Sequence, residues 1–271
     1  MNEAFNLKLD ICQHKDPLIA GLCWNDILQR YSQCVLTRPN DKLVAISGIA
    51  KSFSELGRSE DYFAGLWRRL ILSLLLWSRT NRLRSCITKA DEYRAPSWSW
   101  ASVDGSIRLG KPMYNDPMTS TLIDVKAENV TPDRFGQVIS GSITIAGSLK
   151  LFSFKSKEIV DSADRCIMRC EDMYLQDKFY KFGVRGFGHA LLDQDFSTLK
   201  DVSRLHFLPL ILDKWRTEGL LLSPTGKAKG HFQRSGVLQI SHSKLGIWHP
   251  CESDCLEYES FNGSLYTVTI I

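Results

Sequence analysis

Two cysteine pairs stand out for their spacing: Cys166/Cys170 and Cys251/Cys255 each enclose three residues, and His242 and His249 closely precede the second pair. Thiolates and imidazoles hold zinc tetrahedrally, so Cys251, Cys255 and the two histidines are the residue types for such a site. The spacing does not repeat as in a zinc ribbon and no helical pattern accompanies it, so no metal is expected. A second constellation is Asp91, Glu92, Tyr93 and Arg94. Carboxylates beside a guanidinium and an aromatic face suit recognition of a polar ligand or a protein partner; a solvated surface loop is the ordinary explanation. With Trp98 and Trp100 just downstream, the candidate interaction residues are Asp91, Glu92, Tyr93, Arg94, Trp98 and Trp100.

Catalytic patterns are sparse. The chain has no G-x-S-x-G elbow, no phosphate-binding G-x-x-x-x-G-K-[ST] loop and no H-E-x-x-H helix. Gly183, Gly186 and Gly188 form a glycine-rich stretch whose spacing is wrong for a dinucleotide fingerprint, and turn-making explains it. His189, His206 and His231 are isolated in sequence and are expected to be structural. Neither catalytic residues nor cofactors are therefore assigned, although a hydrolase with a dispersed site stays open to an activity screen.

Helices precede strands. Trp24, Ile27, Leu28 and Tyr31 form an apolar stripe that predicts a helix over 22–33. Leu43, Ile46, Phe53 and Leu56 predict a second, starting near an Asn40 or Asp41 cap and ending at Gly57, with Gly48 marking close contact with another helix. Ser59, Glu60 and Asp61 look like the start of a third, running to Trp77 as the central helix of this part. Arg79, Arg82, Arg84 and Lys89 then read as a solvated connection.

Alternation follows. Trp98 and Trp100, two apart, would share one face of a strand over 95–105. Further strands are predicted at 121–126, 137–152 (two), 179–186, 206–213, 219–223, 231–241 and the end of the chain. The fold class is therefore α+β: an N-terminal helical region, 1–92, and an antiparallel β-rich barrel or sandwich, 93–271, joined through the Trp98/Trp100 strand.

A chain of 271 residues, 44% hydrophobic and 24% charged, belongs to the globular class. Its net charge of +4 is dispersed, unlike a nucleic-acid footprint. The N-terminus carries Glu3, Asp10 and Asp16 without an apolar core, and the longest apolar run, Leu70 to Trp77, is too short to span a membrane. Reduced thiols and a cytoplasmic location are expected, with neither nucleic acid nor membrane as partner.

Four blocks, WNDILQRYSQCVLT (24–37), DKLVAISGIAKSF (41–53), DYFAGLWRRLILSLLLW (61–77) and YRAPSWSWASVDG (93–105), carry a resemblance, with GLLLSPT (219–225) and HFQRSGV (231–237) adding to it. In this order they resemble the downstream region of fungal heterokaryon-incompatibility (HET) domain proteins. The family's upstream segments, resembling L-S-Y-C-W-G and W-I-D-A-[IL]-C-I-x-Q, do not occur, and Cys34 stands where a basic residue is common. The chain thus looks like the downstream half alone, a truncated relative or a remnant. The resemblance implies a non-catalytic accessory role in non-self recognition and programmed cell death, through a HET-domain signalling protein in trans or another protein partner. The alternative is a small-molecule or glycan-binding β module that uses an exposed face of Trp98 or Trp100.

Overall fold

The computed structural model describes residues 17–55, 61–80, 93–110, 118–154, 158–162, 165–170, 172–175, 178–181, 187–193, 205–212, 216–241 and 256–271. Helix α1 (Pro17–Tyr31) is longer than the stripe that predicts it, and it buries Trp24 and Leu28 completely. A 3-10 turn (Pro39–Asp41) leads into α2 (Lys42–Glu55), which buries Leu43, Ile46, Ala50 and Phe53, the predicted face. Gly48 corrects one expectation: it is exposed, and a Cβ added there would meet nothing within 4 Å, so no helix packs against it.

The predicted central helix does not form over the described residues 61–77. Its place is taken by a hairpin of β1 (Tyr62–Phe63) and β2 (Leu66–Trp67), a 3-10 turn and a four-residue helix, α3 (Ile71–Leu74). The break lies at Ala64 and Gly65, whose φ angles of 44° and 96° are those of a tight two-residue hairpin loop. An apolar stripe alone cannot reveal that turn. Its payload is still buried: Trp24, Phe53, Tyr62 and Trp67 form one aromatic cluster, with the Tyr62 and Trp67 ring centroids 4.8 Å apart.

Residues 95–105 are also not a strand. Pro96 to Ser99 make a turn, and Trp100–Ser102 a 3-10 helix capped by the Ser99 hydroxyl, which accepts from Ala101 N–H. Both indoles are nevertheless fully buried, so the segment is central to the core. Short strands β3 (Ser78–Arg79) and β4 (Ile107–Arg108) pair beside it.

The β-rich part is a branched sheet of thirteen strands among the described residues. In chain order these are β5 (Thr121–Asn129), β6 (Val138–Gly147), β7 (Lys150–Phe154), β8 (Glu158–Ser162), β9 (Arg165–Cys170), β10 (Asp172–Leu175), β11 (Lys178–Lys181) and β12 (Phe187–Leu192). They continue with β13 (Leu205–Leu212), β14 (Arg216–Pro224), β15 (His231–Ser241), β16 (Ser260–Phe261) and β17 (Tyr266–Ile270). The main path runs β11-β10-β7-β13-β14-β15-β12-β9-β8, and its two ends do not meet, so the described strands form no closed barrel. At β15 the sheet forks. The start of β15 pairs in parallel with β17, which leads to β6 and β5, whereas its later residues pair with β12. The parallel pairing departs from the purely antiparallel expectation; the class is mixed α+β. One hydrophobic cluster nevertheless runs from Trp24 to Ile270. No described helix is long and apolar enough to cross a membrane.

Candidate functional site

The centre of the molecule is built on two carbonyls. The hairpin turn presents Gly65 C=O to the indole N–H of Trp24 on α1 at 3.2 Å and to that of Trp100 at 3.1 Å. The neighbouring Ala64 C=O accepts from the Ser99 hydroxyl at 2.6 Å. Only glycine fits at 65, because a Cβ would run into the Trp100 indole. Around this turn, Tyr31 hydroxyl donates to Lys42 C=O at 2.7 Å, Lys42 Nζ to Val103 C=O at 2.6 Å, and Trp77 indole to Trp98 C=O at 3.0 Å. Lys42 is buried over the Trp100 ring, and burial, with Arg94 nearby, lowers its pKa to about 7.

A second buried constellation ties this knot to the sheet. Arg234 on β15 pairs with Asp193, donates to Trp77 C=O, and stacks 3.5 Å above the Trp77 ring, while Arg79 donates to Asp193 C=O at 3.0 Å. Burial holds the Asp193 carboxyl above its ordinary range and the Arg234 guanidinium below its own, with the pairing offsetting part of each. Arg79, expected in solvated surface, is therefore half-buried and engaged. Arg82, Arg84 and Lys89 lie outside the described residues.

The candidate site is a cleft of about 1050 Å³ where β17 ends. One wall is the β5–β6 ladder, with Lys126, Ala127 and Glu128 opposite Ser142, Gly141 and Ser140. The other is the segment Tyr93, Arg94, Ala95 and Ser97; Lys227, Gln233 and Ile271 also line the cleft. Gly141 lets this segment approach, since a Cβ there would lie 2.6 Å from Pro96 Cγ. Ser97 fastens it: its hydroxyl donates to Ile271 C=O and accepts from Arg234 N–H.

Of the predicted interaction residues, Tyr93 and Arg94 line this cleft. Tyr93 is 54% exposed, and partial burial raises its pKa to about 12, so its hydroxyl remains a donor. Arg94 is buried, pairs with Asp104 at 2.9 Å and donates to the carbonyls of Ala101 and Pro39, while its buried Nη2 has no acceptor among the described residues. Trp98 and Trp100 are core residues without exposed surface. Asp91 and Glu92 lie outside the described residues, as do His242, His249, Cys251, Cys255, Gly183 and Gly186. Cys166 and Cys170 lie on β9, and Gly188 is in strand β12. His206 Nε2 accepts from Glu257 N–H, His231 sits 3.4 Å from Glu259, and His189 lies in β12.

Lys126, Glu128, Lys227 and Gln233 escaped sequence reasoning because strand order alone brings them together. No local pattern marks them. The chemistry on offer is recognition: donors on Tyr93, Lys126 and Lys227, and an acceptor on Glu128, which Ser140 Oγ holds at 3.1 Å. No family model, curated protein or solved structure matches the chain.

Proposed function

We propose that the chain is a non-catalytic interaction region of the fungal heterokaryon-incompatibility type, acting in non-self recognition and cell-death signalling through contact with a HET signalling domain. The observation that carries this is that all four N-terminal blocks join one buried hydrogen-bonded network around the Ala64–Gly65 turn. The first block supplies Trp24 and Tyr31, the second Lys42, the third Ala64, Gly65 and Trp77, and the fourth Ser99, Trp100 and Val103. Residues distant in sequence thus share one hydrogen-bonded network, which supports reading the four blocks as parts of one scaffold. The scaffold carries a cleft bordered by Tyr93 and Arg94, two of the residues expected to meet a partner.

A sugar-binding role for Trp98 or Trp100 loses its physical basis, since stacking needs an accessible ring face and both indoles are buried. The test of the proposal is affinity capture with the tagged chain from fungal cells, with partners identified by mass spectrometry. Specific recovery of a HET-domain protein is expected; repeated recovery of the chain alone would count against the role.

A further inference from the structure

The ladder between β17 and β6 stops with Ile270 opposite Ile143, whereas β5 stays paired with β6 past Ser142, Gly141 and Ser140 to Val138. From Ser142 to Val138, β6 therefore has no strand on its β17 side among the described residues. An unpaired strand edge is a row of backbone donors and acceptors that calls for partners. Across the gap the corresponding edge of β15 is already engaged: Arg234 N–H goes to Ser97 Oγ, and Ser235 C=O accepts from Asp193 N–H. Among the described residues the open edge is thus on β6, at the cleft. Ser140, Gly141 and Ser142 line the cleft, with Pro96 packed on the face of the strand at Gly141.

We propose that the cleft takes an extended acidic polypeptide segment of a partner, added as a strand to the edge of β6 between Ser140 and Ser142, the β6 residues that line it. Main-chain bonds supply affinity in this mode and alternate side chains supply selectivity. The charges set the preference. Lys227 is exposed and has no ion pair among the described residues; Lys126 shares only a solvent-exposed pair with Asp124 at 3.0 Å, which a ligand carboxylate displaces at small cost. Glu128 is the opposing charge, so acidic side chains seat toward Lys126 and Lys227, with the apolar face of the strand against Tyr93.

This inference rests on the interaction role above only in taking the ligand to be polypeptide. The probe is a fluorescein-labelled peptide of alternating glutamate and valine, titrated into the whole chain. Saturable binding is expected, lost when alternate peptide nitrogens are methylated and when lysine replaces glutamate. Lys227→Glu is expected to weaken binding about tenfold at unchanged thermal midpoint, and hydrogen exchange to slow at 140–142 on binding. Failure to bind, equal binding of the N-methylated peptide, or slowed exchange only elsewhere would overturn it. If capture of a HET-domain protein survives while the peptide fails, strand addition is wrong and the interaction role stands; the reverse result separates them the other way.

Discussion

Four residues set how the core responds to change. Gly65 combines a positive φ with an indole packed against the site of its missing Cβ, so Gly65→Ala adds backbone strain to overpacking. A loss of roughly 3 kcal/mol is expected from the shift in urea midpoint. For the buried Arg234–Asp193 pair, Asp193→Asn leaves a guanidinium without its counter-charge, and a cost of about 3–5 kcal/mol is expected. Replacing both partners together by Leu and Met is expected to cost far less, and a double-mutant cycle in urea checks it. Lys42 gives a pH signature. Its pKa is about 7 when folded and an ordinary 10.5 when unfolded, so between these values the unfolded chain binds the extra proton. Stability from this group therefore rises with pH from about 7 to 10.5, at no more than about 1.4 kcal/mol per pH unit. Lys42→Met is expected to flatten that slope in denaturation curves at pH 7 and 9.

At the scale of elements, legibility followed locality. The stripes of α1 and α2 and the alternation of β13 to β15 depend on neighbours in sequence, and these elements formed close to their predicted positions. Residues 61–77 and 95–105 misled for a common reason. Their apolar side chains are buried as expected, but the backbone is shaped by distant caps: two indoles on Gly65 C=O, one hydroxyl on Ala64 C=O. Trp24 and Trp100 satisfy their buried indole N–H groups on this turn, which offers carbonyls that a helix would have used up. The Ser99 cap is the local trace of this. Ser99→Ala removes an acceptor for Ala101 N–H and a donor to Ala64, and a loss of about 2 kcal/mol in thermal or urea unfolding is expected. The cleft was half legible. Tyr93 and Arg94 were marked by residue type, whereas Lys126 and Lys227 enter only through the pairing of β5 with β6 and the turn before β15.

For the whole molecule, the continuous core and the Ser97 link to Ile271 and Arg234 join the helices to the sheet. Tryptophan fluorescence, to which the buried Trp24, Trp67, Trp77, Trp98 and Trp100 contribute five of the chain's seven indoles, and far-ultraviolet circular dichroism are therefore expected to give coincident unfolding curves. The claim that this scaffold exists to present a partner-binding cleft is tested most directly by site-specific photo-crosslinking in fungal cells. A benzophenone amino acid is placed at Tyr93, on the cleft, and in parallel at Val35, which is 92% exposed and does not line it. Crosslinking of a HET-domain protein from position 93 and not from 35 is predicted; equal adducts from both positions, or none from 93, would contradict it.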